Sequence, residues 1–208
     1  MRRFLPTVLD TKRESILSKE RSLAKAVTVA VIESPPITVW EITIPIVFII
    51  NFFRLKRTRE IFTLNFLLTK KLALEATVDM IEKGQGKEEV IARIRDTTGD
   101  ILASDTKEVY SQKIRQRQMK EIDLLIDHYR QLLEAEGKDY DSMMRNAYQT
   151  REKYAAFLGQ LIQAEREVNR AAQQTVKSAT ASDLVSKMEK ATERIRRAQA
   201  AKIFEINS

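Results

Sequence analysis

The chain reads as an all-α protein of long amphipathic helices, bundled or coiled-coil-like, with an apolar N-terminal segment suited to associate with a membrane. Three observations predict this. Five glycines among 208 residues are fewer than sheets, barrels and phosphate-cradling loops consume at their turns, whereas long helices need almost none. Apolar residues recur at steps of three and four through most of the second half. Finally, all four prolines and the only tryptophan fall within the first 45 residues, and Phe48, Phe52, Phe53, Phe62 and Phe66 follow closely. Such a shift in composition marks an organisational boundary.

The first 36 residues predict an amphipathic helix over 11–32, with Leu9, Ile16, Leu23 and Ala30 at seven-residue spacing. It stops at Ser34-Pro35-Pro36, because proline lacks an amide donor and restricts the residue before it. Residues 37–83 combine an apolar run, ITVWEITIPIVFIINFF over 37–53, with a second helix over 54–82. In that helix Leu67, Leu74, Val78 and Ile81 form one stripe, and Gly84-Gln85-Gly86 is a connector. Residues 87–208 read as a charged helical domain. Met119, Ile122, Ile126, Tyr129 and Leu133 step by 3, 4, 3, 4 as a coiled-coil seam does. Tyr154, Phe157, Leu161, Ala164, Val168 and Ala171 repeat the pattern, as do Leu184, Met188, Ala191, Ile195 and Ala198 after a Ser/Thr/Ala-rich break at 178–182. A helix that is apolar on one face must bury that face, so these seams are expected to meet one another or a partner.

Residues 37–53 admit three readings. As a helix they span roughly 25 Å, short of the roughly 30 Å hydrocarbon core. Extended back to Ala26, the stretch contains only Glu33 and Glu41 as charges, enough for a span or a re-entrant hairpin. A simple span would place the basic N-terminal tail and the basic residues after Phe53 on opposite sides, against the positive-inside rule, so both flanks are expected in the cytoplasm. The second reading buries the segment as a helix within a soluble bundle. The third is a β-hairpin, since Trp40, Ile42, Ile44, Ile46, Phe48 and Ile50 alternate and 26–32 could pair with them. The first reading makes Trp40, Ile44, Ile46, Phe48, Ile50, Phe52 and Phe53 membrane-contacting. The adjoining Arg54, Lys56, Arg57 and Arg59 then bind anionic lipid, each gaining about 1 kcal/mol near such a surface.

Chemistry is mostly excluded. Without cysteine there is no disulfide framework or thiolate site, and one histidine cannot furnish a multi-histidine metal centre. Nucleotide-binding and hydrolase motifs are missing. Glu121, Asp123, Asp127 and His128 share a helix but fall off the Met119–Ile126 seam, so they are expected in solvent, without metal. The basic residues Lys113, Arg115, Arg117 and Lys120, and Arg194, Arg196 and Arg197, read as solvated helix faces, since no aromatics interleave with them and acidic residues follow. No cofactor or small-molecule substrate is implied, and nucleic acid is disfavoured.

The expected function is therefore non-enzymatic. The chain would be a membrane-associated scaffold or assembly protein, with its helical domain facing the cytoplasm and open to a protein partner or a second copy. The helix-seam residues Met119, Ile122, Ile126, Tyr129, Leu133, Phe157, Leu161 and Val168 would carry those contacts. A soluble cytoplasmic interaction module with 37–53 in its core is the alternative.

Overall fold

The computed structural model describes residues 7–31, 58–104, 110–175 and 179–205. These form seven helices: α1 Val8–Val31, α2 Thr58–Lys83, α3 Lys87–Ser104, α4 Gln112–Glu134, α5 Tyr140–Tyr148, α6 Arg151–Thr175 and α7 Ala179–Glu205. No strand occurs among the described residues, and none of their helices is long and apolar enough to cross a membrane. The all-α class stands. The apolar run 37–53 and the basic residues Arg54, Lys56 and Arg57 lie outside the described residues. Of Arg59, in the first turn of α2, only the backbone is described.

Local chemistry sets the helix ends. Thr7 and Asp10 form a reciprocal cap at the start of α1, the Thr7 hydroxyl accepting from the Asp10 amide and the Asp10 carboxylate accepting from the Thr7 amide. Helix α4 starts where the Ser111 hydroxyl accepts from the Ile114 amide, and α5 where Asp139 and Ser142 make a capping box. Gly84 ends α2 in the left-handed region, at φ 65°. Gly137 holds φ 141° in the turn before α5, and a Cβ there would lie 2.7 Å from the Ser142 hydroxyl and 2.8 Å from the Met143 nitrogen. Gly137→Ala is therefore expected to cost about 1–3 kcal/mol, readable as a lowered midpoint in urea. Gln149, at φ 64°, makes the break between α5 and α6, which carries no glycine or proline to announce it.

Five long helices close into a ring in the order α1, α2, α4, α6, α7 and back to α1. Arg13 near the start of α1 pairs with Glu75 near the end of α2, so these two run antiparallel. Helix α4 runs parallel to α2, Thr69 reaching Glu121 and Thr77 reaching the Ile126 carbonyl. Helix α6 runs antiparallel to α4 through Lys113–Gln174 and Arg117–Glu167. It is antiparallel to α7 as well, through Arg166–Glu193 and Asn169–Glu189. Helix α3 packs outside the ring on α2 and α4, and α5 covers one end, touching α1, α4, α6 and α7. At the opposite end Leu23, Val27 and Val31 of α1 cluster with Phe66 of α2 and Met188 and Ala191 of α7.

The predicted seams fill this interior. Ile122, Ile126, Tyr129, Leu133, Leu161 and Val168 are buried, with Met119 and Phe157 packed against them. They close on the chain's own helices, so they are not open to a partner as expected. Five further expectations are corrected. Glu121 and His128 are buried, not solvent-facing. A two-position seam describes a helix with one neighbour, whereas α4 packs against α1, α2, α3, α5 and α6. Arg196 is buried for the same kind of reason, between α1 and α6. The hairpin reading loses its first strand, because the residues through Val31 continue α1. The break at 178–182 is helical from Ala179 onward, since serine and threonine are tolerated in a helix that packs. Ile81 is exposed at 37%, the stripe on α2 running instead through Thr77 and Met80.

Candidate functional site

Each of the five ring helices sends one charged side chain to a common interior layer: Glu20 from α1, Lys70 from α2, Glu121 from α4, Glu165 from α6 and Arg196 from α7. Their positions follow from helical spacing. Lys70 occupies the stripe Leu67, Lys70, Leu74, Thr77. Glu121 lies in Ile114, Gln118, Glu121, Leu125, His128 and Leu132. Glu165 falls between Leu161 and Val168, Arg196 between Thr192 and Ala200, and Glu20 between Ile16 and Leu23. A charge standing at a seam step in every long helix was the available signal. Reading only the neighbouring apolar register passes over it.

The geometry is that of a linked ion network. Lys70 Nζ donates to Glu165 Oε1 at 3.0 Å and reaches Glu121 Oε1 at 3.5 Å, while lying 4.5 Å from the Phe66 ring centroid. Arg196 grips Glu165 with both terminal nitrogens, at 2.6 and 2.8 Å, the planar fork matching the carboxylate. Glu121 also accepts from the Thr69 hydroxyl at 2.9 Å. Glu20 Oε1 accepts from the Tyr129 hydroxyl at 3.0 Å. Glu20 Oε2 and the Thr192 hydroxyl are buried with no hydrogen-bond partner among the described residues.

Protonation follows from who faces whom. Burial opposes ionisation of Glu165, but Arg196 and then Lys70 overcome it and hold its pKa down at about 2. Burial likewise opposes the Lys70 ammonium, yet Glu165 and Glu121 hold it above the ordinary lysine value. Lys70 is thus a fixed charge, not an amine nucleophile. Burial pushes the Glu121 carboxyl above its ordinary value against the pull of Lys70, and the nearby Glu165 adds to the rise.

A cavity of about 70 Å³ adjoins the network between α2, α4, α6 and α7, its floor formed by Lys70, Glu121, Glu165 and Thr192. Glu189 and Glu193, with side chains 26% and 27% exposed, stand at its outer side. This volume is room for a few waters. Beyond Glu20 a smaller space of about 20 Å³ is bordered by His128, Tyr140, Tyr154 and Arg196. His128 stacks on Phe157 with centroids 4.4 Å apart, and its Nδ1 meets the Tyr148 hydroxyl at 2.7 Å. Burial and then the Arg196 charge drive its pKa down to about 3. The histidine is a neutral core side chain. Among the described residues no group of three or more His, Asp or Glu is placed to hold a metal ion.

Asp123 and Asp127 stay near the surface, where both bind Lys87. Of the basic patches, Arg117 pairs with Glu167 and Arg197 with Glu193, which leaves less positive charge for a polyanion. Comparison with known proteins adds no relative: no family model, no curated protein and no solved structure matches the chain.

Proposed function

We propose that the chain is a non-enzymatic, membrane-associated helical assembly protein. Its apolar run 37–53 contacts lipid, and Arg54, Lys56, Arg57 and Arg59 meet an anionic headgroup layer. One observation carries this reading. Val31 at the end of α1 and Phe66 early in α2 belong to one packed cluster, at the end of the bundle away from α5. A chain leaving α1 and returning to α2 therefore starts and finishes on the same face. This supports an anchor with both flanks on one side, which the distribution of basic residues also requires. The ring then sits on the cytoplasmic side. Since its seams are used internally, a protein partner or second copy would meet its outer surface.

Flotation on vesicles tests the proposal. The full chain is expected to float with vesicles containing a fifth phosphatidylglycerol and less with pure phosphatidylcholine. Each of Arg54, Lys56 and Arg57 replaced by glutamine should weaken binding about fivefold, the equivalent of about 1 kcal/mol. Phe52→Glu with Phe53→Glu should leave the protein unbound. A chain that remains soluble without detergent and ignores both vesicle types would overturn the proposal in favour of a soluble module with 37–53 packed in protein.

A further inference from the structure

The five residues of the interior layer cut each ring helix in two, and the halves differ in charge. Toward Val31 and Phe66 lie residues 21–31 of α1, 66–69 of α2, 112–120 of α4, 166–175 of α6 and 179–195 of α7. These stretches hold eleven Lys and Arg against four Asp and Glu. The opposite halves, 8–19, 71–83, 122–134, 151–164 and 197–205, hold ten of each. The positive excess therefore gathers at the end where the chain leaves α1 and returns to α2. Helix α3 brings Arg95, Asp96 and Asp100 to the same level, where Arg115 meets Thr98, and lowers the excess by one charge only. Ion pairing does not cancel the rest. Arg117 takes Glu167, Arg166 takes Glu189 and Glu193, and Lys187 takes Asp183, so three cations engage all four carboxylates of these halves. The Arg115 guanidinium is held by neutral groups, the Thr98 hydroxyl and the Arg95 carbonyl. Arg21, Lys25, Lys113, Lys120, Arg170 and Lys190 are exposed, and among the described residues none has a carboxylate within ion-pair distance.

We propose that this end of the bundle is a docking surface for an anionic lipid bilayer, on which the ring stands upright with α5 pointing away. The docking rests on the lipid contact proposed for 37–53 and adds to it headgroup contacts from the folded helices themselves, which fix the orientation of the domain. Placement favours a flat partner. The unpaired cations stand on α1, α4, α6 and α7, around the end of the ring and not along one side. A nucleic-acid duplex lying along the bundle would meet one or two of these helices, whereas a plane across the end meets all four. Lys25, Lys113 and Arg170 lie within about 10 Å of their helix ends, at roughly 1.5 Å per residue, which is about the screening length at 0.1 M salt. Val29, in the last turn of α1 at the same end, is an exposed apolar side chain.

Flotation of the full chain with vesicles containing a fifth phosphatidylglycerol, at about 0.1 M salt, tests the orientation. Lys25→Gln, Lys113→Gln and Arg170→Gln together are expected to weaken binding at least about tenfold, each basic residue near such a surface contributing up to about fivefold. Lys138→Gln, Lys153→Gln and Lys202→Gln together remove the same charge from exposed positions at the α5 end, and should change binding by less than about twofold, beyond the reach of the surface. All six side chains are exposed, so both variants should keep the wild-type urea midpoint; the single substitutions carry the same comparison if either triple variant unfolds. Equal weakening by the two triples would overturn the proposal, because net charge and not orientation would then govern binding. Undiminished binding of the first triple would overturn it as well, while leaving the anchor at 37–53 to hold the chain alone. A wild-type chain that floats with neither anionic nor neutral vesicles removes both the docking surface and the anchor. Retention of the wild type on duplex DNA, lost in the first triple while its vesicle binding is unmoved, would assign the basic end to nucleic acid instead.

Discussion

Replacing Arg196 with leucine is expected to lower the stability of the ring by about 3–5 kcal/mol, among the largest effects of any single substitution in this chain. The loss would not come from forfeiting an attractive contact. The side chain is 5% exposed and Glu165 17%, and two linked pairs in such surroundings gain little over well-packed apolar residues, because desolvation cancels much of their attraction. What destabilises is the remainder. Without Arg196, Glu165 keeps only Lys70, which already reaches Glu121, so three interior carboxylates face one cation. Two controls separate this account from simple loss of packing. The double variant Glu165→Leu with Arg196→Leu should recover most of the stability, because both charges go together. Arg130→Ala, which removes an exposed pair with Glu134, should change stability by less than 1 kcal/mol. Chemical denaturation of the four proteins at pH 7 measures this. A double variant as unstable as Arg196→Leu alone would show that the cost lies in the volume of the guanidinium and not in the orphaned carboxylate.

The helices themselves were legible in the residues and the layer was not, for a physical reason. Periodicity is a property of one helix, and it finds α1, α2, α4, α6 and α7, although the seam on α4 begins at Met119 in a helix that starts at Gln112, and that on α7 ends at Ala198 in a helix that runs to Glu205. Glycine marks the turns at Gly84 and Gly137, while the turn at Gln149 depends on a left-handed residue that nothing in its neighbours requires. Burial of a charge is instead a property of a pair. Glu121 and Lys70 are 51 residues apart, and Glu165 and Arg196 are 31 apart; no local pattern relates them. The rule that lone charges stay in water puts Glu121 and Arg196 in solvent and gives Lys70 and Glu165 no role, and that rule fails when several helices each turn a charge inward at the same level. Met119, Ile122, Ile126, Tyr129 and Leu133 were correctly read as inward-facing because apolar burial needs no specific partner. A narrow seam does not show how many helices surround it, so it reads equally as meeting a sister helix, a second copy or a partner.

Lowering the pH from 7 to 4 is expected to destabilise the protein by about 3 kcal/mol through His128 alone. In the unfolded chain this imidazole takes up a proton below its ordinary value of about 6.5. In the fold it lies between Phe157 and Tyr148, 4% exposed, with its pKa driven down to about 3 by burial and by Arg196. A base whose folded pKa is depressed leaves the native state with fewer protons than the unfolded one. Its contribution is therefore whole above pH 6.5 and drains away between 6.5 and 3. Glu165, held at about 2, adds to the loss only below about pH 4.5, while a proton taken up by Glu121 acts in the opposite direction. Comparison with His128→Gln isolates the histidine, because the carboxylates titrate in both proteins. The variant should be less stable at pH 7, where it loses the stacked ring, and should gain on the wild type steadily as the solution is acidified. The slope of that difference between pH 6 and 4 should approach one proton, a tenfold change in relative folding constant per unit. A flat difference over this range would mean that His128 protonates inside the fold. The packing around it would then have to open toward α5 and α6, where Tyr148 and Phe157 now enclose it, to admit a further positive charge beside Arg196.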